Sequence, residues 1–131
     1  MYKYTKFTEA KTLKEFYALE NAKFERGENP YNGEAISFFV DSDEKIEEVM
    51  KYVKERKENA SDEKDYKSLE NIEYVVKELK ENKGKKIKDL GDITGIFEAI
   101  EITCEDLYYV IRKDDGKKVC SSCVGSIKII E

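Results

Sequence analysis

The sequence of 131 residues predicts an α+β protein: a helical N-terminal part with one or two strands, then a C-terminal antiparallel sheet. Three observations predict it. Between residues 44 and 83, apolar residues recur at i, i+3, i+4 and i+7 over two stretches, the spacing of helices with one buried face. From Lys85 onward the apolar period falls to two, the spacing of half-buried strands. Within that second region stands Asp114-Asp115-Gly116-Lys117, a tight-hairpin signal.

Taken in order, residues 2–7 alternate weakly and read as a short strand. A helix is expected near 12–26: Thr12-Leu13-Lys14-Glu15 fits a capping box, and Gly27 suits the position just past a helix end. Its apolar side is Leu13, Phe16, Tyr17, Leu19 and Phe24. Glu28-Asn29-Pro30-Tyr31-Asn32-Gly33 is turn-rich and holds the one proline of the chain. Residues 35–40, Ala-Ile-Ser-Phe-Phe-Val, then read as a buried strand. Asp41, Ser42 and Asp43 offer caps to a helix near 44–57, whose buried stripe is Ile46, Val49, Met50 and Val53. Ser61 is the expected cap of a helix near 62–83, with Asp62, Glu63 and Asp65 placed to favour its macrodipole. The stripe of that helix is Tyr66, Leu69, Ile72, Val75, Val76 and Leu79. The short connection predicts an antiparallel pair with mixed Lys/Glu faces outside.

Residues 85–131 hold the strand-like segments 86–88, 96–103, 107–113 and the residues around 120, then 126–130. Two registers suit the hairpin. A three-residue loop with Gly116 left-handed pairs Ile111 with Val119 and Val110 with Cys120; a two-residue turn pairs Ile111 with Cys120 instead. About five short strands with tight turns in this stretch resemble an SH3-like small barrel. The division is therefore 1–84, α-rich, and 85–131, a small antiparallel sheet or barrel, with a shared core left open.

Composition bounds the function. Charged residues make up 40% against 9 Tyr and 6 Phe, which gives a well-solvated surface over an aromatic-rich interior. The net charge is −5, and neither part is basic: residues 1–83 hold 16 Lys/Arg against 20 Asp/Glu, and residues 84–131 hold 8 against 9. General attraction to a phosphate backbone is disfavoured, whereas a partner with a basic surface is favoured. The opening residues lack the apolar stretch of a secretory leader, and no run is long enough to span a membrane. Together with an odd number of cysteines, 3, this predicts a cytoplasmic protein with free thiols and no membrane partner.

The chain has no histidine, so the commonest general base is missing. It also has no glycine-rich phosphate loop and no Ser-His or Cys-His arrangement, so neither catalysis nor a cofactor is expected. Cys104, Cys120 and Cys123 are weak zinc candidates. One Cys-x-x-Cys supplies half a tetrahedral site, Cys104 continues the parity of the apolar Ile100 and Ile102, and an extended strand aims Cys120 and Cys123 to opposite faces. Free thiols are the expectation, and no metal site.

The strongest candidate site is Asp41, Asp43, Glu44, Glu47 and Glu48, five carboxylates in eight residues at a helix start. Capping and solvation account for them locally; as a site, they form a negative patch that docks on an Arg/Lys-rich groove. Tyr31 in the proline turn, and one of Tyr108 or Tyr109, are candidate aromatic anchors, since alternation puts the latter two on opposite faces. In size and composition the chain resembles immunity proteins and phage-encoded inhibitors of host defence nucleases. That resemblance implies a small binding protein, an inhibitor that occupies a basic groove such as that of a nuclease or CRISPR effector. The alternative is an adaptor or peptide-binding module in a larger assembly, with a homodimer allowed.

Overall fold

A computed structural model describes residues 3–27, 32–89, 91–103, 106–122 and 127–130. Lys3–Ala10 is the first strand (β1), Leu13–Glu25 the first helix (α1) and Asn32–Val40 the second strand (β2). β1 and β2 pair in parallel, Phe7 beside Ala35 and Ala10 beside Phe38. A parallel pair needs a crossover connection, and α1 supplies it. Thr12 caps α1 by accepting from Glu15 N at 3.0 Å, as the capping box predicts. Gly27 follows the helix at φ 79°, the left-handed conformation that ends many helices. Glu34 on β2 then ties the unit together, accepting from Thr8 Oγ1 at 2.6 Å and from Arg26 Nη2 at 3.0 Å.

Asp43–Glu58 (α2) and Glu63–Asn82 (α3) follow within a residue or so of the expected limits. Ser42 caps α2. The cap of α3 is Asp62, which accepts from Asp65 N at 2.7 Å, and not Ser61. Aspartate caps as well as serine, and from the residue directly before the helix its carboxylate reaches the third helical N–H, that of Asp65. The two helices are antiparallel: Glu47 near the start of α2 pairs with Lys80 near the end of α3 at 3.2 Å, and Lys57 pairs with Glu73 at 3.4 Å. These Lys/Glu pairs bridge the two helices.

The remaining strands are Lys86–Lys88 (β3), Thr94–Thr103 (β4), Leu107–Arg112 (β5), Lys118–Ser122 (β6) and Lys128–Ile129 (β7). All seven belong to one mixed sheet. β4 is its spine. One edge takes β2 along Ile100–Thr103 and β3 along Thr94–Ile96, and the other edge takes β5, which pairs onward with β6. The sheet stays open, so the SH3-like barrel is not the architecture. β4 gives half of one edge to β2, and among the described residues β6 pairs only with β5 and β7 only with β3, so no terminal strands meet there.

Three-residue geometry wins at the hairpin. Gly116 has φ 85°, Ile111 pairs with Val119, and Val110 pairs with Cys120. A bulge between Phe97 and Ala99 inserts Glu98 as an extra residue, resetting the alternation of β4.

All three helices pack on one face of the sheet. Leu13 and Phe16 of α1, Ile46, Val49 and Val53 of α2, and Leu69, Ile72, Val75, Val76 and Leu79 of α3 join Ile36, Phe38, Val40, Phe97, Ile100, Ile102 and Ile111 in a single core cluster. Residues 1–84 and 85–131 therefore share one core. Tyr109 belongs to it, standing edge-on to Phe97 with centroids 5.4 Å apart and donating its hydroxyl to Glu78 at 2.6 Å. Tyr108 lies on the opposite face, as alternation requires.

Candidate functional site

The face of the sheet turned away from the helices carries no other element among the described residues. Its side chains follow from register. Opposite the core residues Phe38, Ile100, Tyr109 and Ile111 lie Phe39, Glu101, Tyr108 and Ser122 in one row, and Ala99, Val110 and Cys120 in the next. Ile96, Arg112 and Lys118 form a third row. Because of the bulge, Glu98 leans to this side as well, beside the third row. The result is an open groove of about 680 Å³, its floor made by Phe39, Ile96, Ala99 and Val110. Ala99 and Val110 are only 5% and 6% exposed although they lie outside the core cluster, so the longer side chains around them already shelter the floor.

Charge is divided across this groove. On the β5–β6 side, the Glu98 carboxylate accepts from Arg112 Nε at 2.6 Å and lies 3.2 Å from Lys118 Nζ. The Arg112 hydrogen bond, aided by Lys118 and opposed by burial, holds the Glu98 carboxyl below its ordinary range. Across the groove stand Glu9 of β1 and Asp41 at the end of β2, with Lys83 next to the notch between β2 and β3. The sequence reading missed Glu98, Arg112 and Lys118, because strict alternation does not gather them. Their signal was the excess of hydrogen-bonding charge in strands otherwise apolar at alternate positions.

The predicted acidic cluster meets this groove at Asp41. Asp43, Glu44, Glu47 and Glu48 are exposed and sweep an arc of about 140° around α2 at 100° per residue, away from Ile46, Val49 and Val53. Ser42 orders that turn, and the first-turn acids Asp43 and Glu44 sit where the helix dipole favours them. Two of the five acids are paired: Asp41 with Lys45 at 3.3 Å and Glu47 with Lys80 at 3.2 Å. The anchor candidate Tyr31 lies outside the described residues, as do Cys104 and Cys123.

Cys120 sits on β6 with its thiol 3.4 Å from Glu101 Oε1. Burial first, then the Glu101 charge and hydrogen bond, push its pKa from 9.0 up to about 11. A thiol so held is protonated at neutral pH and is a poor nucleophile and a poor metal ligand. Among the described residues no group of three or more Cys, Asp or Glu side chains is arranged to hold a metal.

A second groove, of about 430 Å³, runs between α1, α3 and the β4–β5 connection, lined by Tyr17, Glu20, Ser68, Asn71 and Asp106 among others. Glu20 Oε1 is buried there with no hydrogen-bond partner among the described residues. Burial raises the Glu20 pKa, and nearby Lys23 opposes the shift. Asp106 is already engaged by the Leu107 N–H and the Ser122 hydroxyl. Both grooves set fixed charges beside an apolar floor.

No known protein family, curated protein or solved structure matches this chain. Among the described residues no helix is long and apolar enough to cross a membrane.

Proposed function

We propose that this is a binding protein that acts by occupying a surface, an inhibitor whose acidic α2 start enters the basic groove of a partner such as a nuclease or CRISPR effector. The observation that supports it is the outward arc of Asp43, Glu44, Glu47 and Glu48, continued by Asp41 onto the rim of the sheet groove. Five carboxylates against two paired lysines, Lys45 and Lys80, leave an excess of three negative charges on one exposed turn and a half. That spacing suits a cationic groove built for phosphates. Such a patch speeds encounter and sets register, while apolar contacts beside it hold the complex.

The test is affinity capture from nuclease-treated lysate with the wild-type chain and with the triple reversal Glu44→Lys, Glu47→Lys, Glu48→Lys. Each bait is read by mass spectrometry at low and high salt. One stoichiometric partner, lost on the triple variant, weakened by salt and displaced by duplex DNA, is the expected outcome. A partner retained equally by the triple variant, or indifferent to salt, overturns the reading. The reversals touch only exposed positions, so circular dichroism of the variant should match the wild type.

A further inference from the structure

We infer that the groove between α1, α3 and the β4–β5 connection is a binding site for a small organic ammonium ion, with Glu20 as its counter-charge. Three features carry this. The first is Glu20 itself. The residue lines a groove of about 430 Å³, and its Oε1 atom is buried with no hydrogen-bond partner among the described residues. A buried carboxylate oxygen left unpaired costs stability, and native proteins keep few of them without a role. Lys23, three residues on, attracts this charge but makes no hydrogen bond to Oε1.

The second feature, the balance of charge, selects a cation. The described residues lining the groove include the carboxylates of Glu20 and Asp106 and no lysine or arginine. Asp106 is already held by the Leu107 N–H and the Ser122 hydroxyl, so Glu20 is the acceptor still open. Arg56 lies 4.3 Å from the Tyr17 ring centre, yet it is committed to Tyr52 and Asp65 and does not line the groove. An anion would be repelled here, and a neutral ligand would leave the Glu20 charge unpaired.

The third feature is the wall. Phe16, Ile72, Ile102 and Leu107 make it apolar, and Ser68 and Asn71 stand one turn apart on its α3 rim. Among the described residues no three Cys, Asp or Glu side chains converge as a metal site would need, so an organic cation fits better than a metal ion. A protonated amine on a compact apolar body meets both demands: its N–H groups donate to Glu20, and its body covers the wall. The terminal torsion of a glutamate is soft, so the carboxylate can turn onto a donor that enters. The site shares no residue with the acidic arc of α2, and either reading can fail alone.

The test is titration of the full chain at neutral pH with butylamine, cyclohexylamine and benzylamine, each beside the alcohol of the same shape. Binding is followed by the NMR shifts of the backbone amides. At least one amine should saturate, with shifts centred on the groove residues of α1, α3 and the β4–β5 connection. Its alcohol should bind at least about tenfold more weakly, since a hydrogen bond between charged partners is lost. Glu20→Gln keeps the size of the side chain and should raise the dissociation constant of the amine by about tenfold or more. This variant should melt no lower than the wild type, which separates lost binding from lost fold. Ser68→Phe, at an exposed rim position, should block the amine with Glu20 intact. No saturable shift with any of the three amines, equal binding of amine and alcohol, or binding undiminished in either variant would each overturn the inference.

Discussion

Gly95 of β4 faces the Arg112 backbone of β5 with no room for a Cβ, and replacing it with alanine is the sharpest test of the sheet as described. A Cβ on Gly95 would sit 2.4 Å from the Arg112 carbonyl oxygen and 2.7 Å from Ile111 Cγ2. An ordinary C···O contact is about 3.3 Å, so the two strands must part by about 1 Å at this point. Neither neighbour can yield alone: one is backbone, and the other is a core side chain that is fully buried. Overpacking of this kind costs about 1–3 kcal/mol, and the loosened Ile96–Arg112 pairing adds to it. A total of about 3 kcal/mol lowers the melting temperature by about 10 °C for a chain of this size. Thermal unfolding followed by circular dichroism, with urea denaturation as a check, measures it. A Gly95→Ala chain that melts within about 2 °C of the wild type, the range of an ordinary surface change, would refute the β4–β5 register. Gly95→Ala should also loosen the Glu98–Arg112 contact, since Arg112 carries the carbonyl that must move.

Other outcomes follow from the titratable groups. Glu20→Gln should stabilise the protein at neutral pH, because burial raises the folded-state pKa of Glu20 and its charge opposes folding above that value. The advantage should vanish as pH falls through the raised pKa; urea denaturation at a series of pH values reads it, and a constant difference would contradict the assignment. Cys120 should alkylate slowly despite its exposure: with its pKa at about 11 against 9.0, roughly a hundredfold less thiolate is present at pH 8. Iodoacetamide kinetics in a chain with Cys104 and Cys123 changed to serine measure this, and Glu101→Gln should speed the reaction. Glu34 and Glu98 have lowered pKa values, so their contributions are complete above the unfolded carboxyl range and are lost as pH falls through the folded values. Acid unfolding should therefore be less steep in the Glu34→Gln, Glu98→Gln double variant.

What the sequence disclosed was mostly local. Each of α2 and α3 was legible because an apolar stripe at helical spacing coincided with acidic first turns, and both signals act within one element. The hairpin register was not disclosed in this way: a two-residue Asp115-Gly116 turn and a three-residue loop both take Gly116 left-handed, and only the pairing of Ile111 with Val119 decides between them. The parallel pairing of β1 with β2 left no such trace; it depends on α1 packing over the pair, a contact between distant segments. The closed barrel was a misreading of the same kind. Five short strands satisfy either an open or a closed sheet, and what decides is that β2 takes an edge of β4 from more than fifty residues away. At the candidate site the acidic cluster was visible as a run in sequence, whereas the groove was hidden by the bulge at Glu98. Counting alternate residues through Phe97 and Ala99 puts every later side chain of β4 on the wrong face.

That same reliance on β4 bears on how the chain is made. During synthesis β1, α1, β2, α2 and α3 emerge first, each with its apolar face complete, yet the strand against which they settle is still inside the ribosome. Ile36, Phe38 and Val40 then have no sheet partner on their far edge, and Leu69, Ile72 and Val76 have little to cover but each other. Folding of the earlier segments is thus deferred until Thr94–Thr103 arrives, at which point both halves close in one step through contacts far apart in sequence. Until then β2 keeps one strand edge uncovered, open to pairing with another chain.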